Sequence, residues 1–320
     1  MAPSTEKVLS SPGDRGERLD AFLSRSLPVV SRERIKSLIK QGSTVVNGSV
    51  VVKPDYKIKG NESIEVHLPP AEISALPSPE PIPLPVLYED EHIIVVDKPA
   101  GISTHPTPTA LHHTVVNALL SMNRRLSDMG DPLRRGIVHR LDKQTAGVLI
   151  IAKSNEAHLK LLTMFKHRTI HKTYIAVVYG TMKTDAGTIS GLISRHPFDR
   201  KRMTTKTTRG KEAVTRFRVI KRLDGITVVI LWPETGRTHQ LRTQLSDRGH
   251  PILNDDLYSR KRPVPARQQV LAILSSSGGI ALFAYAISFT HPVYDVPVTF
   301  SAPFPAWLKA VVSEHEIHQG

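Results

Sequence analysis

The sequence predicts an α+β protein in which a small domain of two helices and a hairpin precedes a large mixed, mainly antiparallel sheet. Beyond residue 86, runs rich in β-branched and aromatic residues outnumber helical patterns. These runs do not alternate regularly with the helical patterns, which argues against a doubly wound parallel sheet. Before residue 68, apolar residues recur at helical spacing and are followed by an Asn-Gly turn between two β-branched runs.

Residues 17–68 are predicted to form the small domain. Its first helix begins near Leu19, and its second begins after Ser31, a candidate N-cap, and ends at Gly42. The hairpin that follows turns at Asn47-Gly48, because this dipeptide readily adopts the positive φ angles of a tight turn.

Three cations share one face of the second helix. Arg32, Lys36 and Lys40 are spaced four residues apart, so they form a basic ridge beside the apolar stripe. A ridge of this kind suits contact with a polyanion, but a solvated helix face would show the same pattern.

A proline-rich segment, residues 69–85, separates the small domain from the large one. Proline lacks a backbone donor and stiffens the chain, so we expect a semi-rigid linker. The large domain is predicted to span residues 86–312, and the basic stretch 260–279 is interpreted as a mobile insertion. Helical patterns occur at residues 112–123, 155–167, 238–247 and 305–315.

The charge balance indicates a polyanionic partner. The 320 residues include 43 Lys and Arg against 29 Asp and Glu, a formal net charge of +14. Nucleic acid is the partner that such an excess favours, with an anionic membrane surface as the weaker alternative. No apolar run is long enough to span a bilayer and the N-terminus lacks a signal-peptide core, so we expect a cytoplasmic protein outside the membrane. The absence of cysteine excludes disulfides and thiolate metal sites.

One carboxylate stands among cations in the large domain. Asp142 lies in Arg140-Leu141-Asp142-Lys143, shortly before a buried strand that follows Gly147. Nearby positive charge favours the ionised carboxylate, which makes it a poor general acid and suits it to act as a nucleophile or a base. A helix cap or a surface ion pair is the structural alternative. The sequence provides no nearby second acid, no phosphate-binding glycine loop and no convincing metal-ligand spacing.

Six motifs follow one another along the large domain. They are Asp97-Lys98-Pro99-Ala100-Gly101; His139-Arg140-Leu141-Asp142 with Thr145-Ala146-Gly147; Lys172-x-Tyr174-x-Ala176; the basic loop SRHPFDRKRM at 194–203; Thr235-Gly236-Arg237-Thr238-His239-Gln240-Leu241-Arg242; and Ala281-Leu282 with Phe289-Thr290-His291-Pro292. Together they resemble the RluA/RluD type of pseudouridine synthases, which modify large-subunit ribosomal RNA.

The small domain carries a resemblance of its own. Its matching features are Arg18-Leu19-Asp20, Ser31-Arg32, Gly42, Val46-Asn47-Gly48 and Lys53-Pro54. They are similar to the alpha-L RNA-binding domain, which is named for a ribosomal small-subunit protein. This resemblance implies that the basic ridge contacts RNA.

The family resemblance implies a pseudouridine synthase fold and an isomerase that converts specific uridines of RNA to pseudouridine without cofactor or metal. It makes Asp142 the essential carboxylate, Arg242 its paired arginine and Tyr174 the ring that stacks on the target base. We expect Arg242 to bind the carboxylate through two hydrogen bonds. A phosphate contact is the alternative for Arg242, and an ordinary core position is the alternative for Tyr174.

A uridine in folded RNA must leave the base stack before it can react. Arg140 is the candidate to fill the gap with its guanidinium plane, and His139 and Leu282 are expected to line the pocket. The expected phosphate contacts are Arg195, Arg200, Lys201, Arg202, Lys206 and Arg209.

Two other functions stay open at this point. A non-catalytic ribosomal RNA-binding factor needs no carboxylate facing a polyanion, so the set of Asp142, Tyr174 and Arg242 argues against it. A base-excising glycosylase would release uracil, whereas an isomerase leaves the mass of the RNA unchanged. We expect a monomer that acts on large-subunit ribosomal RNA, with transfer RNA as the alternative substrate.

Overall fold

The computed structural model describes residues 4–27, 30, 32–68, 76–107, 110–259 and 268–318. The chain divides into two compact units. The first comprises Met1–Ser78, Thr107–Leu111 and Asp128–Arg135, and the second comprises Pro79–Pro106, His112–Ser127 and Gly136–Gly320. No helix in the described part of the chain is long and apolar enough to cross a membrane.

The first unit packs two helices on a small antiparallel sheet. Its elements are β1 (Ser4–Leu9), α1 (Leu19–Ser26), α2 (Arg32–Lys40), β2 (Thr44–Val46), β3 (Ser49–Val50) and β4 (Ser63–Leu68), with strand order β1-β4-β2-β3. The predicted hairpin turn is confirmed, since Asn47 and Gly48 have φ angles of 48° and 80°. Strand β1 was not identified from the sequence, and it completes the sheet by pairing with β4. The predicted N-cap Ser31 lies outside the described residues.

The helical periodicity of the first unit is also confirmed. The apolar positions that predicted the two helices all face the core of this unit, and each is at most 2% exposed. They are Leu19, Phe22 and Leu23 of α1 and Ile35, Leu38 and Ile39 of α2.

The second unit is built on a large sheet. Its strands are β5 (Val86–Glu89), β6 (Ile93–Lys98), β7 (Ala146–Ala152), β8 (His171–Tyr179), β9 (Ala186–Arg195), β10 (Met203–Thr204), β11 (Lys211–Leu223), β12 (Ile226–Pro233), β13 (Leu282–Thr290) and β14 (Pro297–Ser301). They follow the order β10-β9-β11-β12-β8-β13-β7-β6-β5, and β14 pairs with β13. Strands β13 and β7 pair in parallel, and the other strand pairs described here are antiparallel. The predicted mixed, mainly antiparallel sheet is therefore confirmed.

Helices of the second unit match the sequence patterns unevenly. They are α3 (Val115–Ser121), α4 (Asn155–His167), α5 (Gln240–Asp247), α6 (Gln268–Ser277), α7 (Ala306–Lys309) and α8 (Glu314–His318). The prediction of one helix over 305–315 is wrong: Ser313 and Glu316 exchange side-chain-to-backbone hydrogen bonds that begin a separate helix, α8.

Two segments that the sequence placed between regular elements are only partly described. The interpretation of 260–279 as a mobile insertion is wrong for the part that forms α6, because Val270 and Leu274 are buried in the core. Residues 260–267 lie outside the described residues. Of the predicted linker, residues 69–75 also lie outside them, and residues 76–85 contain no helix or strand.

A close backbone approach defines the parallel junction. Strand β7 begins opposite β13, with Ala284 paired to Gly147. Gly147 has a φ of +117°, and a Cβ atom there would overlap the backbone carbonyl of Ala284. We therefore expect Gly147→Ala to lower the free energy of unfolding by about 3 kcal/mol, through strain and overpacking together.

Gly249→Ala is the matched control for this prediction. Gly249 also has a positive φ, +83°, but a Cβ atom there would meet no other atom within 4 Å. Its substitution should cost about 1 kcal/mol, through backbone strain alone. Chemical denaturation measures both values, and equal losses would contradict the role assigned to the close approach.

Candidate active site

One cavity of about 500 Å³ in the second unit brings together six residues singled out from the sequence. Its walls come from the loop before β7, the end of α4, the start of β8, the segment leading into α5, and the start of β13. The six are His139, Arg140, Asp142, Tyr174, Arg242 and Leu282. Leu282 is buried in the wall, whereas Arg140 is exposed.

Hydrogen bonds to backbone groups hold the loop that carries Asp142. The hydroxyl of Thr104 donates to the carbonyl oxygen of Leu141 at 3.0 Å and accepts from the Leu141 amide at 3.2 Å. The amide of Gly101 donates to the carbonyl oxygen of Lys143 at 2.8 Å. Asp142 is therefore presented from a fixed backbone, as a pre-organised site requires.

A fully buried lysine, Lys98, also holds this loop through hydrogen bonds to backbone carbonyl oxygens. The Nζ atom of Lys98 donates to the carbonyl oxygens of Pro99 (2.8 Å), Ile102 (3.0 Å) and Lys143 (3.3 Å). Burial lowers the pKa of Lys98 to about 7, although the negative charge of Asp142 opposes this shift. Lys98 belongs to the motif Asp97-Lys98-Pro99-Ala100-Gly101, but the sequence predicts no role for it, because two of its three carbonyl partners lie outside its immediate neighbours.

Arg242 bridges two carboxylates. Its Nη1 atom lies 3.1 Å from Oδ2 of Asp142, while its Nε and Nη2 atoms lie 2.7 and 2.9 Å from the two oxygens of Asp255. The prediction of a two-bond pair with Asp142 is therefore wrong. Asp255 is fully buried and occupies two nitrogens of the guanidinium, which leaves one for Asp142. Asp255 was not singled out from the sequence.

The charges around Asp142 follow from these contacts. Burial alone would lower the pKa of Arg242, but its bonds to Asp255 and Asp142 raise it above the ordinary value. The Nε2 atom of His239 lies 3.9 Å from Asp142, and its Nδ1 atom lies 3.0 Å from the hydroxyl of Tyr258. Burial lowers the pKa of His239 despite the neighbouring carboxylate. Arg242 is thus the permanent cation in direct contact with Asp142.

Tyr174 and His139 form another part of the cavity wall. Burial, assisted by the negative charge of Asp142, raises the pKa of Tyr174, so its ring is neutral at neutral pH. His139 accepts a hydrogen bond at Nε2 from the Ile150 amide at 3.0 Å, and its ring stacks on Phe165. Burial lowers the pKa of His139 to about 3. His139 therefore supports strand β7 as a neutral ring.

The remaining predicted contacts of the second unit lie outside this cavity. Arg195 is exposed at the end of β9, and Arg200 and Lys201 are exposed on the connection between β9 and β10. Arg195 lines a second cavity of about 380 Å³, which shares residues 236–238 with the first.

The basic ridge of the first unit lies on α2, as predicted. Arg32 is half exposed and donates to the buried carboxylate of Asp20 at 3.2 Å, so part of its charge is neutralised internally. Lys36 is half-buried and Lys40 is exposed.

In the part of the chain that the structure describes, no group of three or more His, Cys, Asp or Glu residues could hold a metal ion.

Sequence comparison resolves the family. The profile of RNA pseudouridylate synthase matches residues 92–247, and the profile of the S4 domain matches residues 17–64. An uncharacterized RNA pseudouridine synthase of Aquifex aeolicus is 42% identical over 305 residues, which cover 94% of this chain and 95% of the relative. The chain belongs to the RNA pseudouridine synthase family.

This pseudouridine synthase is also similar to a second relative and to a solved structure. Ribosomal large subunit pseudouridine synthase D of Xylella fastidiosa is 39% identical over 307 residues, which cover 95% of this chain and 91% of that one. The structure of human RNA Pseudouridylate Synthase Domain Containing 1 covers 74% of this chain and 87% of its own, with a TM-score of 0.55 at 23% identity. That similarity shows the fold alone. The predicted RNA-binding domain is confirmed as an S4 domain, and the enzyme is an isomerase that acts on RNA.

Proposed function

We propose that this pseudouridine synthase isomerises specific uridines of large-subunit ribosomal RNA and that Asp142 is its essential carboxylate. The main supporting observation is the contact of 3.1 Å between Asp142 and Arg242 at the wall of an RNA modification enzyme's cavity. Relatives named ribosomal large subunit pseudouridine synthase D support the substrate class. The net charge of +14 suits a polyanionic substrate such as ribosomal RNA.

The reaction breaks the bond between the ribose and N1 of uracil and joins the same ribose carbon to C5 of the rotated base. The hydrogen at C5 leaves as a proton, and N1 regains one, so the mass of the RNA is unchanged. The Asp142 carboxylate acts as a nucleophile toward the ribose or the base, or as the base that removes a proton. Arg242 holds this carboxylate in place through the hydrogen bond from its Nη1 atom. The neutral ring of Tyr174 stacks on uracil during the rotation.

The target uridine must be out of the base stack to reach this cavity, and that costs a few kcal/mol. Arg140 lies two residues before Asp142 and is exposed at the edge of the cavity. From there its planar guanidinium replaces the uridine in the base stack. His139 and Leu282 complete the pocket, and the exposed cations of the β9–β10 connection contact phosphates. Arg32, Lys36 and Lys40 provide a separate RNA contact on the S4 domain.

Tritium release tests this function. A large-subunit ribosomal RNA transcript labelled at C5 of uracil should release tritium in proportion to the uridines converted, and chemical mapping should locate each pseudouridine. Release of free uracil would indicate a glycosylase, and binding without release would indicate a non-catalytic factor. A parallel transfer RNA sample decides between the substrates, because release from transfer RNA alone would contradict the ribosomal assignment.

The lowered pKa of Lys172 makes this reaction pH-dependent. Its side chain lines the cavity, and burial lowers its pKa to about 8. The free enzyme therefore loses this positive charge as the pH rises through about 8, and its electrostatic attraction for the polyanionic RNA falls. We expect kcat/KM for tritium release to decline above that pH. The Lys172→Met enzyme should lose about tenfold in kcat/KM at pH 7, the amount of one charged contact, and should lack the decline.

Lys166→Met is the matched control, because Lys166 also lines the cavity from the end of α4. This variant should keep the alkaline decline in kcat/KM. A wild-type pH profile that persists unchanged in Lys172→Met would contradict the assignment.

A further inference from the structure

The connection between β9 and β10 presents an aromatic ring to solvent. Phe198 is 93% exposed, the largest exposed fraction among the large hydrophobic side chains described. Strands β9 and β10 pair through Arg195 and Met203, so Phe198 lies near the tip of a hairpin. Arg200 and Lys201, which follow it, are exposed cations. Exposure of a whole phenyl ring is unfavourable in water, and burying it against a ligand would be favourable.

Internal hydrogen bonds hold the tip in one conformation. The amide of His196 donates to the carbonyl oxygen of Arg202 at 2.9 Å, and the amide of Arg202 donates to that of Asp199 at 3.1 Å. The Nδ1 atom of His196 accepts from the amides of Phe198 (3.3 Å) and Asp199 (3.1 Å). The ring is therefore presented on an ordered turn, so little backbone entropy is lost when a ligand binds.

The same hairpin is attached to the active-site arginine. The amide of Met203 donates to the hydroxyl of Tyr258 at 2.7 Å. The guanidinium carbons of Arg202 and Arg242 lie 5.4 and 5.2 Å from the centre of the Tyr258 ring. An RNA segment bound at Phe198 would thus have a fixed position relative to Arg242, the residue that contacts Asp142.

We propose that Phe198 stacks on a nucleobase of the RNA substrate outside the catalytic cavity, while Arg195, Arg200 and Lys201 contact the phosphates on either side of that base. An aromatic ring between cations matches the alternation of base and phosphate along a single strand. The second cavity, lined by Arg195 and Met203, connects this hairpin with residues 236–238 of the catalytic cavity. The inference rests on the proposed function in taking ribosomal RNA as the ligand.

Affinity measurements test the stacking. Phe198→Ala should raise the Kd for a large-subunit ribosomal RNA transcript about tenfold, the loss expected for one base–aromatic stack. Once the RNA is bound, kcat for tritium release should stay within about twofold, because the ring does not touch the reacting uridine. Phe198→Tyr should restore the affinity. Leu159→Ala is the matched control, since Leu159 is an exposed apolar residue of α4, 53% exposed, and should leave the Kd unchanged.

A fluorescent variant reports the contact directly. In Phe198→Trp the added indole should be strongly quenched when the transcript binds, relative to the two tryptophans of the unmodified chain. The emission of Leu159→Trp should not change. Unquenched Phe198→Trp emission with RNA bound, or an unchanged Kd for Phe198→Ala, would overturn the inference. Quenching without tritium release from wild-type enzyme would instead contradict the proposed function and leave the stacking contact in place.

Discussion

Asp142→Asn is expected to abolish tritium release from C5-labelled RNA, by roughly a thousandfold or more. The amide has nearly the shape of the carboxylate but cannot act as the nucleophile or the base. The side chain of Asp142 is 17% exposed, and the Thr104 hydroxyl holds its loop through the backbone of Leu141, so the substitution should not disturb the fold. The affinity for the same RNA should stay within a few fold.

The two measurements separate chemistry from structure. Asp256→Asn is a suitable control because Asp256 is an exposed aspartate of the same unit, and this variant should keep both activity and affinity. If Asp142→Asn lost RNA binding and isomerisation to the same extent, Asp142 would be a structural residue and the proposed role would be withdrawn.

Asp255→Ala is expected to lower the free energy of unfolding by about 3–5 kcal/mol, the cost of removing one partner of a buried ion pair. Arg242 is 3% exposed on its side chain and makes two of its hydrogen bonds to Asp255. Without Asp255, the guanidinium would keep one hydrogen bond to Asp142 at 3.1 Å and a longer contact of 3.5 Å with Gln144. Tritium release should fall as well, because the orientation of Arg242 against Asp142 depends on the lost bonds.

Denaturant unfolding of three variants measures this effect. Asp256→Ala should change stability by no more than about 0.5 kcal/mol, as expected for an exposed side chain. The double variant Asp255→Ala/Arg242→Met should recover part of the lost stability, because it also removes the buried guanidinium that has lost its bonds to Asp255. A loss below about 1 kcal/mol in Asp255→Ala would mean that solvent or another residue replaces the buried carboxylate.

Local patterns explain what could be predicted of the fold. Helix α4 spans the predicted residues 155–167, because the Ser154 side chain caps its first turn and an apolar face follows. The Asn47-Gly48 turn is equally local. Helix α6 was missed because its sequence, QQVLAILSSS, ends in three serines and begins next to a proline-containing basic stretch. What stabilises it is burial of Val270 and Leu274, which depends on distant residues.

The candidate site likewise contains some residues that the sequence predicts and others that only the fold reveals. Ordered motifs singled out Asp142, Tyr174 and Arg242, and the structure places all three around one cavity. Asp255 and Lys98 have no comparable signal. Their importance comes from hydrogen bonds to groups that the fold brings close: the guanidinium of Arg242 for Asp255, and three backbone carbonyls for Lys98.

By itself, the sequence determined the two-domain α+β plan, the mainly antiparallel sheet and the family, because periodicity, turn residues and motif order are properties of short segments. Only the tertiary structure decided that Arg242 spends two of its hydrogen bonds on Asp255 and one on Asp142. It also placed Lys98 beneath the Asp142 loop. Both outcomes depend on which polar groups, distant in sequence, meet where water is excluded, and an unpaired group there is costly.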